Sequence, residues 1–144
     1  NRGFYYTPHI IKEISEQENI DTNFTKKKYC SIEAKYFEPI IDGMLKVTVG
    51  EDGTAQNSQI ANLDICGKTG TAENPHGEDH SIFIAFAPKD NPKIAIAVYV
   101  ENGGWGSTWA APIASLMIDK YINKNISNSH QEKLILEGNL IAED

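Results

Sequence analysis

Cysteine is scarce in this chain of 144 residues, which contains only Cys30 and Cys66. Two cysteines are too few for a disulfide framework, and neither belongs to a Cys-x-x-Cys pair of the redox or metal-binding type. Cys66 lies beside Gly67 in a predicted strand, where a small buried hydrophobic residue is more common than a nucleophile. A disulfide between the two cysteines stays open, because sequence alone does not place their Cα atoms within bridging range.

Positive charge is also in short supply: 13 lysines and arginines stand against 20 acidic residues, a formal net charge of −7. This balance argues against nucleic acid as a partner, because a phosphate-binding surface normally shows a basic excess. No stretch is long and apolar enough to span a membrane. The chain opens at Asn1 without a secretory signal. We expect a fragment or processed product, with any membrane attachment made through an N-terminal anchor outside these residues.

The third absence is that of the serine motifs found in acyl-transfer enzymes. Neither Ser-x-x-Lys nor Ser-x-Asn, the patterns that hold an acylated serine and its proton relay, occurs in the 144 residues. Ser31 is followed by a lysine at the fourth position instead of the third, and Ser107 has no lysine within reach. Both serines are predicted helix caps. We therefore expect this polypeptide alone neither to form an acyl-enzyme nor to turn over substrate.

The most informative pattern present is Lys68-Thr69-Gly70-Thr71. On an extended strand side chains alternate, so Thr69 and Thr71 face one side and converge on one ligand. Gly70 carries no Cβ that would hold a substrate backbone away, and Lys68 is long enough to reach a charge from the flank. The backbone N–H of Thr71 is a candidate oxyanion donor. These groups suit an acyl substrate that bears a carboxylate, although a bare Lys-Thr-Gly is more often an ordinary strand with a solvated lysine.

Two other binding chemistries are disfavoured. Gly67 and the two residues after it resemble the end of a phosphate-binding loop, but Asn62 stands where that loop needs a glycine. Residues 103–106 contain three glycines without the last glycine of the dinucleotide pattern, so they predict a turn. His76 and His80 are four apart, a ligand spacing only on a helix, and the intervening residues predict a solvated hairpin loop. No metal site and no cofactor are predicted.

The hydrophobic pattern predicts an α+β fold with a three-stranded antiparallel meander. Residues 81–88 and 93–100 are short apolar runs joined by turn residues, and the strand that bears Lys68 precedes them. Branched and smaller side chains alternate in the second run, so both faces are expected to be covered. Residues 4–14 add a candidate N-terminal strand, which Pro8 confines to an edge. Gly3 is expected to follow the end of a helix.

Three helices are predicted. Residues 31–49 are amphipathic and are ended by the turn at Gly50. A second helix, capped by Ser107 or Thr108 and running to about Ile122, is expected to pack on the sheet. Its predicted buried stripe comprises Trp109, Ile113, Leu116, Met117 and Tyr121. A short last helix is predicted from the capping box that begins at Ser129 to Gly138. Trp105 and Trp109 are read as helix-entry packing in preference to an aromatic platform.

Several motifs in order then resemble a known family. They are Tyr-Thr-Pro-His (6–9), Asp-Gly-Thr-Ala (52–55), Gly-Lys-Thr-Gly-Thr-Ala (67–72), Phe-Ile-Ala-Phe-Ala-Pro (83–88) and Ile-Ala-Val-Tyr-Val-Glu-Asn-Gly-Gly (96–104). Together they resemble the C-terminal part of the transpeptidase domain in class B penicillin-binding proteins, above all the elongation-type penicillin-binding protein 2. The resemblance covers residues 1–122, which leaves residues 123–144 as a tail with a short helix.

This resemblance implies part of the fold shared by penicillin-binding proteins and β-lactamases, and a parent protein that is a peptidoglycan D,D-transpeptidase acting through an acyl-serine. Lys68 and Thr71 are the implied catalytic residues, and Lys68, Thr69, Gly70 and Thr71 the implied substrate-binding residues. The implied partners are peptidoglycan stem peptides, β-lactams and an upstream part of the same protein that carries Ser-x-x-Lys and Ser-x-Asn. The implied location is the periplasmic side of the cell membrane. A non-catalytic peptide-binding module, or a β-lactamase or β-lactam sensor lobe with the same strand, stays open.

Overall fold

The computed structural model describes residues 1–11 and 22–140, which form two compact units, Asn1–Ile40 and Ile41–Asp144. In the first unit, strand β1 (Phe4–Tyr5) pairs antiparallel with strand β2 (Lys28–Tyr29), and a short helix α1 (Thr22–Thr25) precedes β2. The predicted strand over residues 4–14 is therefore wrong for residues 6–11, and its residues 12–14 lie outside the described residues. Pro8 has no N–H with which to continue a ladder. β1 belongs to this small sheet and not to the meander.

Gly3 occupies the left-handed region of backbone space, with a φ of 95°. Only glycine adopts this conformation without strain. A Cβ there would also meet the ring of Phe37 at 3.0 Å and the sulfur of Cys30 at 3.1 Å. Gly3 thus serves as a turn residue that lets the chain enter β1 beside Cys30.

Helix α2 spans Glu38–Val49 and follows a 3₁₀ turn at Ala34–Tyr36. The prediction of one helix over residues 31–49 is therefore wrong at its N-terminal end. Pro39 falls in the first turn of α2, a position that tolerates proline because the first N–H groups of a helix have no partner within it. Ile41 and Thr48 are the buried residues of the helix.

The end of α2 is tied to the segment that leads into the meander. The Thr48 hydroxyl is 2.8 Å from the Ile65 carbonyl, and the Gln59 amide donates to the Thr48 carbonyl at 2.6 Å. The Gly50 N–H then donates to the Lys46 carbonyl at 2.9 Å, and the helix ends at this glycine as the sequence predicts. These bonds set where the next strand starts.

The predicted meander is confirmed. Strands β3 (Cys66–Ala72), β4 (His80–Ala87) and β5 (Ile94–Val100) form an antiparallel sheet in the order β3-β4-β5, and Thr69, Phe83 and Val98 lie in register. The expectation that both faces are covered is wrong within the described residues. Alternate residues of β5, among them Tyr99, are exposed on one face, where Ile84 of β4 is also exposed.

Helix α3 (Ala110–Asn123) covers the other face of the sheet. The predicted packing is confirmed but the predicted buried stripe is largely wrong, since Met117 is 55% exposed and Tyr121 is 52% exposed. The buried residues of α3 are mostly small: Ala110, Ala111, Pro112, Ala114, Ser115, Leu116, Ile118 and Asp119. Small side chains let the helix lie close to the sheet, where β4 supplies Phe83 to the shared core.

The N-cap of helix α4 (Ser129–Glu137) is Asn128, one residue before the predicted cap Ser129, and its side chain accepts a hydrogen bond from Gln131 N–H at 3.0 Å. Gln131 in turn donates through its amide to the Asn57 carbonyl at 2.7 Å. Gly138 ends the helix as predicted, and a Cβ at Gly138 would overlap the ring of Trp109. The described part of the tail thus packs against other residues of the second unit. Among the described helices, none combines the length and apolarity needed to cross a membrane.

Candidate functional site

A cleft of about 410 Å³ runs beside β3 in the second unit. Its lining residues are Thr54, Thr69, Gly70, Thr71, Trp105, Gly106 and Ser107. Within the described strands β3 has a neighbour on one side only, which is β4. An edge strand of this kind leaves alternate backbone N–H and C=O groups without a ladder partner. The cleft therefore combines hydroxyl groups with a strand border whose outer backbone groups have no ladder partner within the described strands.

The two threonines of the motif lie together in the cleft, as the alternation along the strand predicts. Thr71 is exposed and Thr69 is half-buried, and both line the cleft. Thr71 lies in register with Ser81, and Thr69 with Phe83, so the threonines share the face of the sheet that α3 covers further along. They escape that cover because they lie on the edge strand.

Lys68 lies beside the cleft and outside its lining. It alternates to the opposite face of β3 from the threonines, is exposed, and does not line the cleft. Its Nζ donates to the carbonyl of Thr69 at 2.7 Å. The structure therefore gathers Thr69, Gly70 and Thr71 at the cleft and leaves Lys68 folded back along its own strand.

Gly70 lines the cleft through its backbone, and the position of its missing Cβ lies on the other face of the sheet. A Cβ at Gly70 would point at Ile82 and meet its Cβ at 3.4 Å, an ordinary contact on the face away from the threonines. The glycine that permits close approach on the cleft side is Gly106, whose added Cβ would lie 2.6 Å from the Gly70 carbonyl oxygen. The loop before α3 can lie directly on β3 only because Gly106 has no side chain.

Thr54 is a cleft residue that the sequence reasoning about the site missed. Its Oγ1 lies 2.9 Å from the Oγ1 of Thr69. Thr54 belongs to the Asp-Gly-Thr-Ala motif at residues 52–55, and this family-like motif is the one signal that would have drawn attention to it. No local pattern indicates that a turn after α2 comes within hydrogen-bonding distance of β3.

Ser81 is a second missed residue. It is fully buried on β4, and its hydroxyl donates to the Trp105 carbonyl at 2.9 Å and accepts from Ala110 N–H at 3.1 Å. The predicted cap of α3 by Ser107 or Thr108 is wrong, because Trp109 is the N-cap residue and makes no capping bond with its side chain. A serine from the sheet thus satisfies the first N–H of α3 and holds the cleft loop.

The two tryptophans have different environments. Trp105 is 74% exposed and lines the cleft, whereas Trp109 is half-buried and has Gly138 against its ring. The helix-entry interpretation therefore holds for Trp109 and is wrong for Trp105. An exposed indole at a cleft offers apolar area and one N–H donor to a ligand.

The loop between β3 and β4 is a hydrogen-bonded turn. Asn74 Nδ2 donates to the side chain of Asn102 at 2.8 Å, and Asn102 N–H donates to His80 Nδ1 at 3.1 Å. Among residues 1–11 and 22–140, no group of three or more histidine, cysteine or acidic side chains is arranged to hold a metal ion. His80 instead joins the hairpin loop to the turn that follows β5.

Both cysteines are free thiols: Cys30 is exposed and Cys66 is fully buried. Burial raises the pKa of the Cys66 thiol to about 11. Because the thiolate is the nucleophilic form, Cys66 is inert near neutral pH. The polar side chains that line the cleft are therefore the hydroxyl-bearing residues Thr54, Thr69, Thr71 and Ser107, together with the indole of Trp105.

Residues 1–119 match the family model described as the penicillin-binding protein transpeptidase domain. The chain belongs to the penicillin-binding protein transpeptidase family. It is 32% identical over 144 residues to the peptidoglycan D,D-transpeptidase MrdA of Haemophilus influenzae, in an alignment that covers 88% of this chain and 22% of that protein. Lys68-Thr69-Gly70-Thr71 falls inside the matched region.

Solved structures of the family agree with this fold. A crystal structure of Pseudomonas aeruginosa penicillin-binding protein 2 in complex with WCK 5153 matches with a TM-score of 0.71 and 34% identity, over 85% of this chain and 26% of that one. The imipenem acyl-enzyme complex of penicillin-binding protein A from M. tuberculosis matches with a TM-score of 0.57 and 32% identity, over 67% and 21%. The chain thus spans about a quarter or less of the relatives that it matches.

Proposed function

We propose that this chain is the C-terminal part of a peptidoglycan D,D-transpeptidase, and that its cleft holds the carboxylate end of a stem peptide or of a β-lactam. The observation that carries the proposal is the position of two threonine hydroxyls and an exposed indole along an unpaired strand edge. A peptide added to that edge gains backbone hydrogen bonds, while the hydroxyls receive its terminal charge. MrdA of Haemophilus influenzae, a relative that matches most of this chain, is named for this reaction.

In the proposed reaction, Thr69 and Thr71 hold the substrate carboxylate and the Thr71 N–H donates to the developing oxyanion. An oxyanion donor of this kind typically contributes about 3 kcal/mol to transition-state stabilisation. Lys68 supplies positive charge at the flank of the site, and its ammonium is free to leave the Thr69 carbonyl because the side chain is exposed. Gly70 keeps the strand backbone close to Gly106, which forms the opposite wall of the cleft.

A nucleophile must come from outside the 144 residues, since no Ser-x-x-Lys or Ser-x-Asn occurs in them. We place both motifs in an upstream part of the same protein. The serine attacks the carbonyl of the penultimate D-Ala, forms an ester as the terminal D-Ala leaves with a proton, and passes the acyl group to an amine of a second stem peptide. A β-lactam acylates the same serine and stays attached. No cofactor takes part.

We assign residues 1–122 to the transpeptidase domain and residues 123–144 to a tail with a short helix. The end of the family match at residue 119 supports this division. The proposed location is the periplasmic side of the cell membrane, where peptidoglycan is cross-linked, with attachment through an N-terminal anchor of the parent protein.

The experiment that tests the proposal uses fluorescent penicillin and a denaturing gel. The complete protein in which this segment occurs is expected to give a covalently labelled band, and the 144-residue chain alone none. In the complete protein, Thr71→Ala is expected to lower the acylation rate by about tenfold or more, because a carboxylate contact is lost. Thr25→Val, at an exposed site on α1, serves as the control.

A labelled band at the mass of the 144-residue chain would overturn the assignment of the nucleophile. The absence of any label on the complete protein would favour the alternative, a non-catalytic peptide-binding module. A Thr71→Ala protein that acylates at the parent rate would remove the threonine from the site.

A further inference from the structure

We propose that Thr54 is a positioning residue that orients the hydroxyl proton of Thr69 toward the substrate carboxylate. The inference rests on the proposed function, since it takes Thr69 as a carboxylate ligand, and it adds a residue that lies outside the Lys-Thr-Gly strand. A threonine from the turn after α2 donates to Thr69 and so leaves the Thr69 proton for the ligand.

The geometry is a hydroxyl pair. The two Oγ1 atoms are 2.9 Å apart, a normal distance for an O–H···O hydrogen bond. A hydroxyl has one proton to donate and two lone pairs to accept with. If Thr69 donates to Thr54, its proton is not available to a carboxylate. If Thr54 donates to Thr69, the Thr69 proton is available and the Thr69 oxygen is polarised by the bond that it accepts.

A bound carboxylate selects the second arrangement. Carboxylate oxygens only accept hydrogen bonds, so every hydroxyl that contacts one must donate to it. Charge-assisted hydrogen bonds are roughly twice as strong as neutral ones, so the ligand favours the direction in which Thr54 donates. Thr54 thereby acts through Thr69, in the way that a buttressing group fixes the orientation of a ligand-binding side chain.

Thr54 is held where this bond requires it. Gly53 closes the turn after α2 so tightly that a Cβ there would lie 2.6 Å from the carbonyl oxygens of both Lys46 and Val47. On the other side, Ala55 is fully buried and its N–H donates to the Val47 carbonyl at 2.9 Å. Threonine is also stiff at χ1, so little rotamer entropy is lost when its hydroxyl points at Thr69.

The Thr54 hydroxyl has no competing role among the hydrogen bonds of residues 22–140, where Thr69 is its one side-chain partner. Its exposure and its place in the cleft lining mean that substitution does not open a cavity in the core. A loss of function at this position is therefore separable from a loss of fold.

The test compares Thr54→Val, which keeps the shape and removes the hydroxyl, with Thr54→Ser, which keeps the hydroxyl, in the complete protein. The second-order acylation rate constant is measured with benzylpenicillin and with its methyl ester, which lacks the charge. Thr54→Val is expected to slow acylation by benzylpenicillin by about three- to tenfold, the range for one hydrogen bond. The ester reaction is expected to change by less than about twofold, and Thr54→Ser to restore the benzylpenicillin rate to within about twofold.

Coupling to Thr69 is the second readout. In a Thr69→Val background, Thr54→Val is expected to cause no further loss, because the bond through which it acts is already gone. An equal loss for acid and ester, an additive double variant, or no effect of Thr54→Val would each overturn the inference. If Thr69→Val and Thr71→Ala also leave the preference for the acid unchanged, the carboxylate assignment under the proposed function fails as well. If they abolish it and Thr54→Val does not, only this inference fails.

Discussion

The hydroxyl of Ser81, buried on β4, donates to the carbonyl of Trp105 and accepts from the N–H of Ala110. Through this one side chain, β4 is hydrogen-bonded both to the backbone of Trp105 at the cleft and to the first turn of α3. Ser81 is also the register partner of Thr71. Ser81 therefore lies next to Thr71 in the sheet and is also hydrogen-bonded to Trp105 on the opposite wall of the cleft.

Ser81→Ala is expected to destabilise the complete protein by about 1–3 kcal/mol, because the buried Ala110 N–H loses its partner, while the Trp105 carbonyl keeps only the N–H of Thr108. It is also expected to slow acylation by fluorescent penicillin, since the Trp105 carbonyl loses its hydrogen bond to β4. Chemical denaturation and labelling kinetics measure the two effects. Ser129→Ala is the matched control, because Ser129 is exposed at the start of α4 and Asn128 caps that helix. Equal stability of the two variants would show that the Ser81 bonds contribute nothing.

The two inner glycines of β3 are expected to respond very differently to alanine. A Cβ at Gly67 would overlap the buried ring of Phe83, whereas a Cβ at Gly70 meets Ile82 at ordinary contact distance. We expect Gly67→Ala to lower the free energy of unfolding by about 2–3 kcal/mol, since a core ring must move. Gly70→Ala is expected to change it by less than about 1 kcal/mol. Urea denaturation of both variants measures these changes in the free energy of unfolding. A larger loss for Gly70→Ala than for Gly67→Ala would contradict the packing described for the two glycines.

Asp119 links α3 to the tail and makes that link depend on pH. Its buried carboxylate accepts from Ser127 N–H and Ser127 Oγ at 2.7 Å each, and from Asn123 Nδ2 at 2.7 Å. Burial acts to raise the pKa of Asp119, but the two bonds from Ser127 and the one from Asn123 outweigh it, so the pKa is lowered. The folded state thus prefers the charged form.

The stability that Asp119 contributes is therefore present above the unfolded-state pKa of about 3.9 and is lost as the pH falls through the lower folded-state value. Unfolding of the chain between pH 7 and pH 2, followed by circular dichroism, is expected to show this loss. Asp119→Asn is expected to be less stable at pH 7 and to lose less on acidification. Glu73→Gln, at an exposed carboxylate, should follow the parent curve. A parent curve identical to that of Asp119→Asn would exclude the link.

The two thiols are expected to differ in reactivity on the native chain. Cys30 is exposed, while Cys66 is buried and its pKa is raised to about 11. A thiol reagent of the disulfide type should therefore modify Cys30 rapidly at pH 7 and reach Cys66 only after unfolding. Cys30→Ser should abolish the fast phase. A fast phase that persists in this variant would show that Cys66 is accessible.

Strand alternation was predictable because it depends on neighbouring residues alone. The apolar runs of β4 and β5 and the turn residues between them predict a hairpin, and the motif at Lys68 predicts two threonines on one face. The helix stripes were harder. Met117 and Tyr121 belong to the apolar stripe that the periodicity predicts as buried, but the sheet packs against the alanine face of α3 instead.

The structural reasons for individual glycines could not be predicted from neighbouring residues either. Gly138 looks like a helix stop of the left-handed type, yet its φ is −67° and it accommodates the ring of Trp109. Gly70 looks like the opening for a substrate backbone, yet Gly106 provides the close approach on the cleft side. In each case the reason for the glycine lies in a residue brought close only by folding.

By itself, the amino-acid sequence determined the order of the sheet strands and the placement of Thr69 and Thr71 on the same face of their strand. It also determined the family and the absence of the motifs that carry an acylated serine. Periodicity, turn chemistry and short motifs are properties of adjacent residues, so they are legible without coordinates. Only the tertiary structure decided that Thr54 meets Thr69, 15 positions away, and that Ser81 caps a helix that begins 29 positions later. Such hydrogen bonds depend on the relative placement of whole elements, which no local pattern encodes.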